Sequence, residues 1–216
     1  MITEFSWSHV GLLIAAARWT LLVSLLAFVC GGLAGFGVAL GRTARSGSLR
    51  LLTASYIQIV QGTPVLIVLF MSYYGLSVLG IKLSPLVAAT FAMTVYASAY
   101  LGEIWRGCIQ AVPPGQWEAS GSLAMTRWQQ LRYVVLPQAL RLALPSTVGF
   151  SVQIVKNTSI TSIIGVVELT RSGQLINNAT FQPFQVFLAV AVIYFALCFP
   201  LSTASKRMER KLHAHR

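Results

Sequence analysis

"GQWEASGSLAMTRWQQLRYVVLPQAL", residues 115–140, interrupts a chain that is otherwise dominated by apolar blocks. Glu118, Arg127 and Arg132 make it too polar to cross hydrocarbon. Trp117, Leu123, Met125, Trp128 and Leu131 recur at rough helical spacing, which is too apolar for a solvated linker. The pattern predicts a short amphipathic helix or a pair of them. Its apolar stripe needs cover from the membrane surface, from the body of the protein or from a groove on a partner.

The surroundings of this segment define the class of protein. Of 216 residues, 56% are hydrophobic and 10% charged, where a soluble domain carries roughly a quarter charged. Mean hydropathy is +0.71. The apolar residues gather in blocks of about 20, the length that crosses ~30 Å of hydrocarbon. Five spans are expected, at about Trp19 to Leu40, Ser55 to Leu79, Pro85 to Ile104, part of Leu140 to Val167, and Phe184 to Thr203. The fold class is therefore an all-α membrane protein, a single transmembrane domain over residues 1–216. A loop over about 106–140 and a basic tail over about 204–216 lie outside the spans. Met1 to Ala17 has no basic n-region or clear cleavage site and is not read as a removed signal peptide.

Sixteen Lys and Arg against five Asp and Glu give a formal charge of +11. The cations fall between and after the apolar blocks, which argues for membrane orientation and against nucleic-acid binding. Twelve of them (Arg42, Arg45, Arg50, Arg106, Arg127, Arg132, Arg141, Lys206, Arg207, Arg210, Lys211, Arg216) fall on one side of a five-span path. Four (Arg18, Lys82, Lys156, Arg171) fall on the other. The positive-inside rule then places the N-terminus outside, the C-terminus in the cytoplasm and residues 106–140 on the cytoplasmic face.

Five helices are few to enclose a polar path while each also faces lipid, so a dimer is expected. Gly31 and Gly35, and Gly37 and Gly41, are spaced for close helix packing, either within the chain or across a dimer seam.

Catalytic chemistry is not readable. There is no Asp, and His9, His213 and His215 lie at the ends, leaving no metal cluster, triad or carboxylate pair. Cys30, Cys108 and Cys198 are too scattered for a disulfide framework or a CxxC site. No G-x-x-x-x-G-K-[ST] loop occurs, so the chain binds no ATP in that way and carries no cofactor of its own.

Polar groups within the spans are the candidates for a path or gate. Glu103 precedes Arg106 by one helical turn, either as an ion pair or in a substrate role. Lys156, Asn157, Thr158 and Ser159 offer a charge and several hydrogen-bonding groups, or simply satisfy a helix end. Pro64 disturbs the helix beside Gln61 and Thr63, as a kink or as freed carbonyls facing cargo. Tyr96 and Tyr100, a turn apart, line a path or sit at an interface.

One resemblance joins these observations. Glu118-Ala119-Ser120, Ala124, Val134 and Leu136-Pro137 resemble the EAA loop of binding-protein-dependent ABC importers: E-A-A, three residues, G, nine residues, I, one residue, L-P. Ser120, Ala124 and Val134 depart from it. Ala in place of Gly would carry a cost of about 1 kcal/mol if the position needs positive φ, and Gly121 is the neighbour able to relieve such a turn. "QGTPVLIVLF" (61–70), "AYLGEIWRGCIQAVPPGQWEA" (99–119) and "KNTSITSIIGVVELTRSGQ" (156–174) narrow the likeness to polar amino-acid uptake permeases among type I ABC importers.

That resemblance implies a type I ABC importer permease fold, in a bacterial inner membrane, whose loop docks on a cytoplasmic ATPase. Trp117, Glu118, Ala119, Ser120, Gly121, Ala124, Met125 and Trp128 are the coupling candidates. Magnesium-ATP would sit on the partner subunit, a second permease copy or related subunit would complete the path, and a periplasmic or extracellular binding protein would deliver the amino acid. An ion-coupled secondary transporter or channel is the alternative.

Overall fold

A computed structural model of the protein describes residues 4–214, which are helical apart from short connections and contain no strand. Arg216 of the basic tail and His215 lie outside the described residues.

Helix α1 (Trp7–Thr43) has 37 residues and is unbroken. It outruns the span expected from hydropathy at both ends, because helical propensity does not stop where the apolar block does. Its main partner is α4 (Pro85–Gln110). Glycine is what lets the two approach. A Cβ at Gly31 would stand 2.5 Å from Ala97 Cβ, and one at Gly35 would stand 3.0 Å from the Ser98 carbonyl oxygen. At Gly41 it would meet Thr53 at 2.7 Å, whereas Gly37 faces open space. Three of the four spaced glycines therefore serve packing within the chain.

Two of the expected spans are bent. Helix α2 (Gly47–Gly62) and helix α3 (Val65–Val78) meet at 105° across Thr63 and Pro64. Pro64 has no N–H to offer the preceding turn, and its carbonyl accepts from Ile67 at 2.8 Å to start the next one. A π-helical turn over Met71–Gly75 interrupts α3. Ser84, whose hydroxyl accepts from the Val87 N–H at 3.4 Å, and Pro85 at the first helical position then begin α4.

After α4 come a short helix, α5 (Pro114–Ser122), and a long helical rod, α6 (Arg127–Ile164). Thr126 and Gln129 cap the rod reciprocally. It opens with a π-helical turn over Gln130–Val135, is regular over Leu136–Asn157 and tightens to a 3₁₀ helix over Thr158–Ile164. Gly165, at φ 95°, ends it. Helix α7 (Leu169–Thr180) leaves at 50° to α6, and α8 (Pro183–Ala214) follows. Pro145 lies inside α6, and its carbonyl accepts from the Ser205 hydroxyl of α8 at 2.8 Å.

Among the described residues three single helices are long and apolar enough to cross a membrane, and counting each bent pair as one span brings the number to five. One part of the core gathers Val23, Leu69, Ala88 and Ile164. A second joins Ala27, Met93, Leu101 and Ile154 to the aromatic rings of Tyr96 and Phe150. Leu25, Leu33, Leu188 and Phe195 remain exposed on α1 and α8, as suits faces turned to lipid or to another subunit.

Candidate functional site

The segment 115–140 forms an elbow. Trp117 of α5 packs on a buried cluster of Ile109, Val112, Val135 and Ala139, which ties α5 to the end of α4 and the start of α6. The Arg127 guanidinium lies over the Trp117 ring at 3.8 Å, closing the elbow from the other arm. Glu118 and Ala119 stay exposed beside it, as do Ser122, Leu123 and Trp128, whereas Met125 is half-buried. The stripe recognised in the sequence is thus split: Trp117 and Leu131 are packed inside, and Leu123 and Trp128 face outward.

The departures from the loop pattern now have physical accounts. Ser120 is buried, and its hydroxyl donates to the Gln116 carbonyl at 2.8 Å, so the polar atom is satisfied where the pattern has Ala. Ala124 sits at φ 56°, the left-handed region that glycine favours. Its N–H reaches the Gly121 carbonyl at 2.9 Å, and the Met125 N–H reaches the Ser120 carbonyl at 3.3 Å. Those two bonds form a Schellman helix end. Gly121 lies within α5 and has no positive φ, so it does not relieve the turn; Ala124 carries the strain itself.

A second group lies along α4 and α6. Tyr96 and Tyr100 have ring centroids 4.6 Å apart, and Phe150 stacks on them at 5.9 and 5.4 Å. Asn157 stands beside Tyr96 and accepts from Gln153 Nε2 at 3.1 Å. Gln61, at the α2–α3 bend, donates to the Ala99 carbonyl at 3.4 Å, one residue before Tyr100. Thr63 turns its hydroxyl back to the Ile59 carbonyl at 2.7 Å. Glu103 accepts from Arg106 Nε at 2.8 Å, and Arg106 also donates to Gln110, so this pair is an ion pair on one helix.

Lys156 to Ser159 do not converge. Lys156 is exposed in a groove of about 330 Å³ between α6 and α8, with Tyr194, Cys198 and Phe199. Asn157 points the other way, toward the aromatic stack. The Thr158 and Ser159 hydroxyls donate to the Val155 and Lys156 carbonyls at 2.7 and 2.8 Å. Two of the four polar side chains are thus spent on their own helix.

One further group escaped the sequence reading. Glu168 is fully buried at the start of α7, where its carboxylate accepts from the Arg171 N–H at 2.9 Å and the Tyr194 hydroxyl of α8 at 2.8 Å. Thr20 of α1 donates to it at 3.3 Å while accepting from the Leu169 N–H at 3.2 Å. Three helices are therefore pinned by one acid. The signal lay in the sequence, since Glu168 is one of only five acids and stands just after Gly165 and before a helical run, at a helix N-cap.

Residues 31–214 match the family described as binding-protein-dependent transport system inner membrane component. A probable amino-acid ABC transporter permease protein of Bacillus subtilis is 31% identical over 100% of this chain and 99% of its own. The glutamine transport system permease protein of Escherichia coli K12 is 33% identical over 95% of each. Among solved structures, an amino acid ABC transporter crystallised with histidines superposes with a TM-score of 0.90 at 34% identity, over 98% of this chain and 100% of that one. A methionine ABC transporter in an inward-facing conformation has the same fold, with a TM-score of 0.82 at 22% identity over 96% and 99%.

Proposed function

The chain belongs to the family of binding-protein-dependent transport system inner membrane components, and on that premise we propose that it carries a polar amino acid and is driven through the elbow at α5. It is the non-catalytic, multi-pass translocation subunit of an ATP-driven importer in the inner membrane, and ATP hydrolysis belongs to a separate subunit. The amino-acid cargo rests on the named relatives, two of which are an amino-acid permease and a glutamine permease.

The observation that carries the mechanical part is the seating of α5. Trp117 holds it to the body, while Glu118, Ala119 and Ser122 project outward, available to a groove on the ATPase. The charge asymmetry supports an N-terminus outside and α5 in the cytoplasm. A second copy or a related permease subunit completes the path, and a soluble binding protein delivers cargo from outside. Closure of the ATPases around ATP then shifts the population toward an outward-open arrangement, and hydrolysis returns it. Within the membrane, the Tyr100 and Phe150 rings with Asn157 and Gln61 supply an aromatic and amide lining suited to a zwitterion's apolar and polar parts.

The test is made on the permease reconstituted with its ATPase and binding protein. Substituting Glu118→Ala should leave assembly and ATP hydrolysis in place while uptake falls. A panel of amino acids, scored by stimulation of ATP hydrolysis, identifies the cargo. Solute flux through this chain alone in proteoliposomes, with no nucleotide, would instead favour the secondary-transporter reading.

A further inference from the structure

Where α1 gives way to α2, four arginines crowd together and none of them forms an ion pair. Among the described residues the one ion pair is Arg106 with Glu103, so Arg42, Arg45, Arg50 and Arg127 have none. Arg42, Arg50 and Arg127 line a single cavity of about 460 Å³, together with Gln110, Trp117 and Glu118. Glu118 is the one carboxylate in that lining, and Glu103 of α4 acts on Arg42 from outside it, so the guanidinium groups remain in excess. Arg42 Nε is buried with no hydrogen-bond partner, and Arg42 Nη1 reaches the Arg50 carbonyl only at 3.5 Å. Like charges held this close repel, and an anion placed between them would reverse the sign of the interaction.

The chemistry next to this cavity narrows the anion. Across the Trp117–Arg127 stack lies a second cleft of about 330 Å³, which shares those two residues and Thr43 and Ala44 with the first and is otherwise walled by Leu40, Arg45, Trp128 and Leu131. Leu51 and Leu52, each about two-thirds exposed at 69% and 68%, follow Arg50 at the start of α2. A row of bare leucines beside an arginine marks the boundary between hydrocarbon and headgroups. Guanidinium forks match a phosphate in two-point geometry. A phosphate pocket opening beside an apolar cleft at that depth fits a molecule with both parts.

We propose that this corner binds one anionic phospholipid, its phosphate held among Arg42, Arg50 and Arg127 and an acyl chain laid against Leu40, Trp128 and Leu131. The site goes beyond the transport reading and does not depend on the cargo, and at Glu118 and Trp128 it borders the surface proposed for the ATPase. Because Arg127 both lines the pocket and stacks on Trp117, the lipid would brace the elbow from the side of the α1–α2 turn.

The experiment is native mass spectrometry of the full-length permease exchanged into equal phosphatidylglycerol and phosphatidylcholine of matched chains. One phosphatidylglycerol should be retained in preference by on the order of tenfold or more, given about fivefold per arginine near an anionic headgroup. The double variant Arg42→Gln/Arg50→Gln should lose most of that preference, with Arg127 left in the pocket, and Arg50→Gln alone, at an exposed position, should lose about fivefold. Arg207→Gln/Arg210→Gln on the tail of α8 should retain the preference. Equal retention of the two lipids by the unaltered chain would overturn the proposal, as would a preference undiminished in the double variant. Binding of inorganic phosphate with the same arginine dependence, but no phospholipid preference, would assign the pocket to a soluble anion and overturn it too. So would a double variant that keeps the lipid but no longer co-purifies with its ATPase, since the arginines would then serve that subunit.

Discussion

Replacing Ala124 by glycine should strengthen the turn on which the elbow depends. Ala124 closes α5 at φ 56°, with its N–H on the Gly121 carbonyl and the Met125 N–H on the Ser120 carbonyl. An L-residue in that conformation costs roughly 1–2 kcal/mol, and glycine bears no such cost. Glycine also gives the unfolded chain more freedom, which subtracts about 0.4–1 kcal/mol. The Ala124 methyl group is exposed, so its removal forfeits no buried contact. The balance is a gain of about 0.5–1 kcal/mol, confined to one turn. Hydrogen exchange followed by mass spectrometry on a peptide covering residues 120–126 reads it directly. The Met125 amide, whose bond opens when the turn opens, should exchange about two- to fivefold more slowly. Gly121→Ala is the control. That position is helical, so the change should not loosen the turn, and the added Cβ would meet only the end of the Gln130 side chain at 3.2 Å. Unchanged or faster exchange in Ala124→Gly would refute the claim that this backbone is held in a conformation alanine resists.

The other predictions concern packing, the buried acid and the path. Gly31→Ala should destabilise the purified permease by about 1–3 kcal/mol, because the new Cβ stands 2.5 Å from Ala97 Cβ. Gly37→Ala, in open space, should be neutral or stabilising by up to about 1 kcal/mol, and the opposite order in thermal midpoints would contradict the assigned packing. Glu168→Ala strands the Thr20 hydroxyl, while the Tyr194 hydroxyl keeps Thr170 at 3.0 Å, and should cost about 1–3 kcal/mol for the buried donor left unpaired. In a double-mutant cycle, Glu168→Ala and Tyr194→Phe should couple by about 0.5–3 kcal/mol; additive losses would mean the bond contributes nothing. Asn157→Ala and Tyr100→Ala should lower uptake while ATPase assembly persists, whereas Lys156→Ala, in the groove against α8, should affect uptake less. Equal losses for Lys156 and Asn157 would place the path between α6 and α8 instead.

What the sequence made legible followed from chemistry that acts locally. Apolar blocks of membrane length announced five spans, and the Glu103–Arg106 pair needed only helical periodicity. Pro64 announced a break because a missing N–H is a property of one residue. The 105° bend it marks was not legible, since the angle depends on how α3 packs on α4. The same limit explains the Lys156 to Ser159 stretch. Four polar residues in a row look like one site on paper, but a helix turns each by about 100°, and the hydroxyls find their own backbone first. Glu168 illustrates the converse. Its N-cap position is local, but the partners that make it a three-helix pin, Thr20 and Tyr194, lie 148 and 26 residues away.

The long rod α6 gives the elbow mechanical meaning. In the proposed coupling role a push on α5 would reach Val135 and Ala139 through Trp117, where the π turn of α6 passes into its regular stretch. From Leu136 to Asn157 the helix is α-helical for 22 residues, a rise of about 33 Å, so displacement there would arrive at Asn157 and the aromatic stack with Pro145 as the interruption between. The compliant elements lie at its ends, where the π turn over Gln130–Val135 and the 3₁₀ turn over Thr158–Ile164 depart from α geometry. Pro145 is the weak point in between, because it removes one hydrogen bond from the rod. Ser205 binds the Pro145 carbonyl and braces that point against α8. A rod stiff in its middle and yielding at its ends is what transmission over that distance requires. It places the strained Ala124 turn at the end where force would enter and the Tyr96, Tyr100 and Phe150 rings toward the end where cargo would respond.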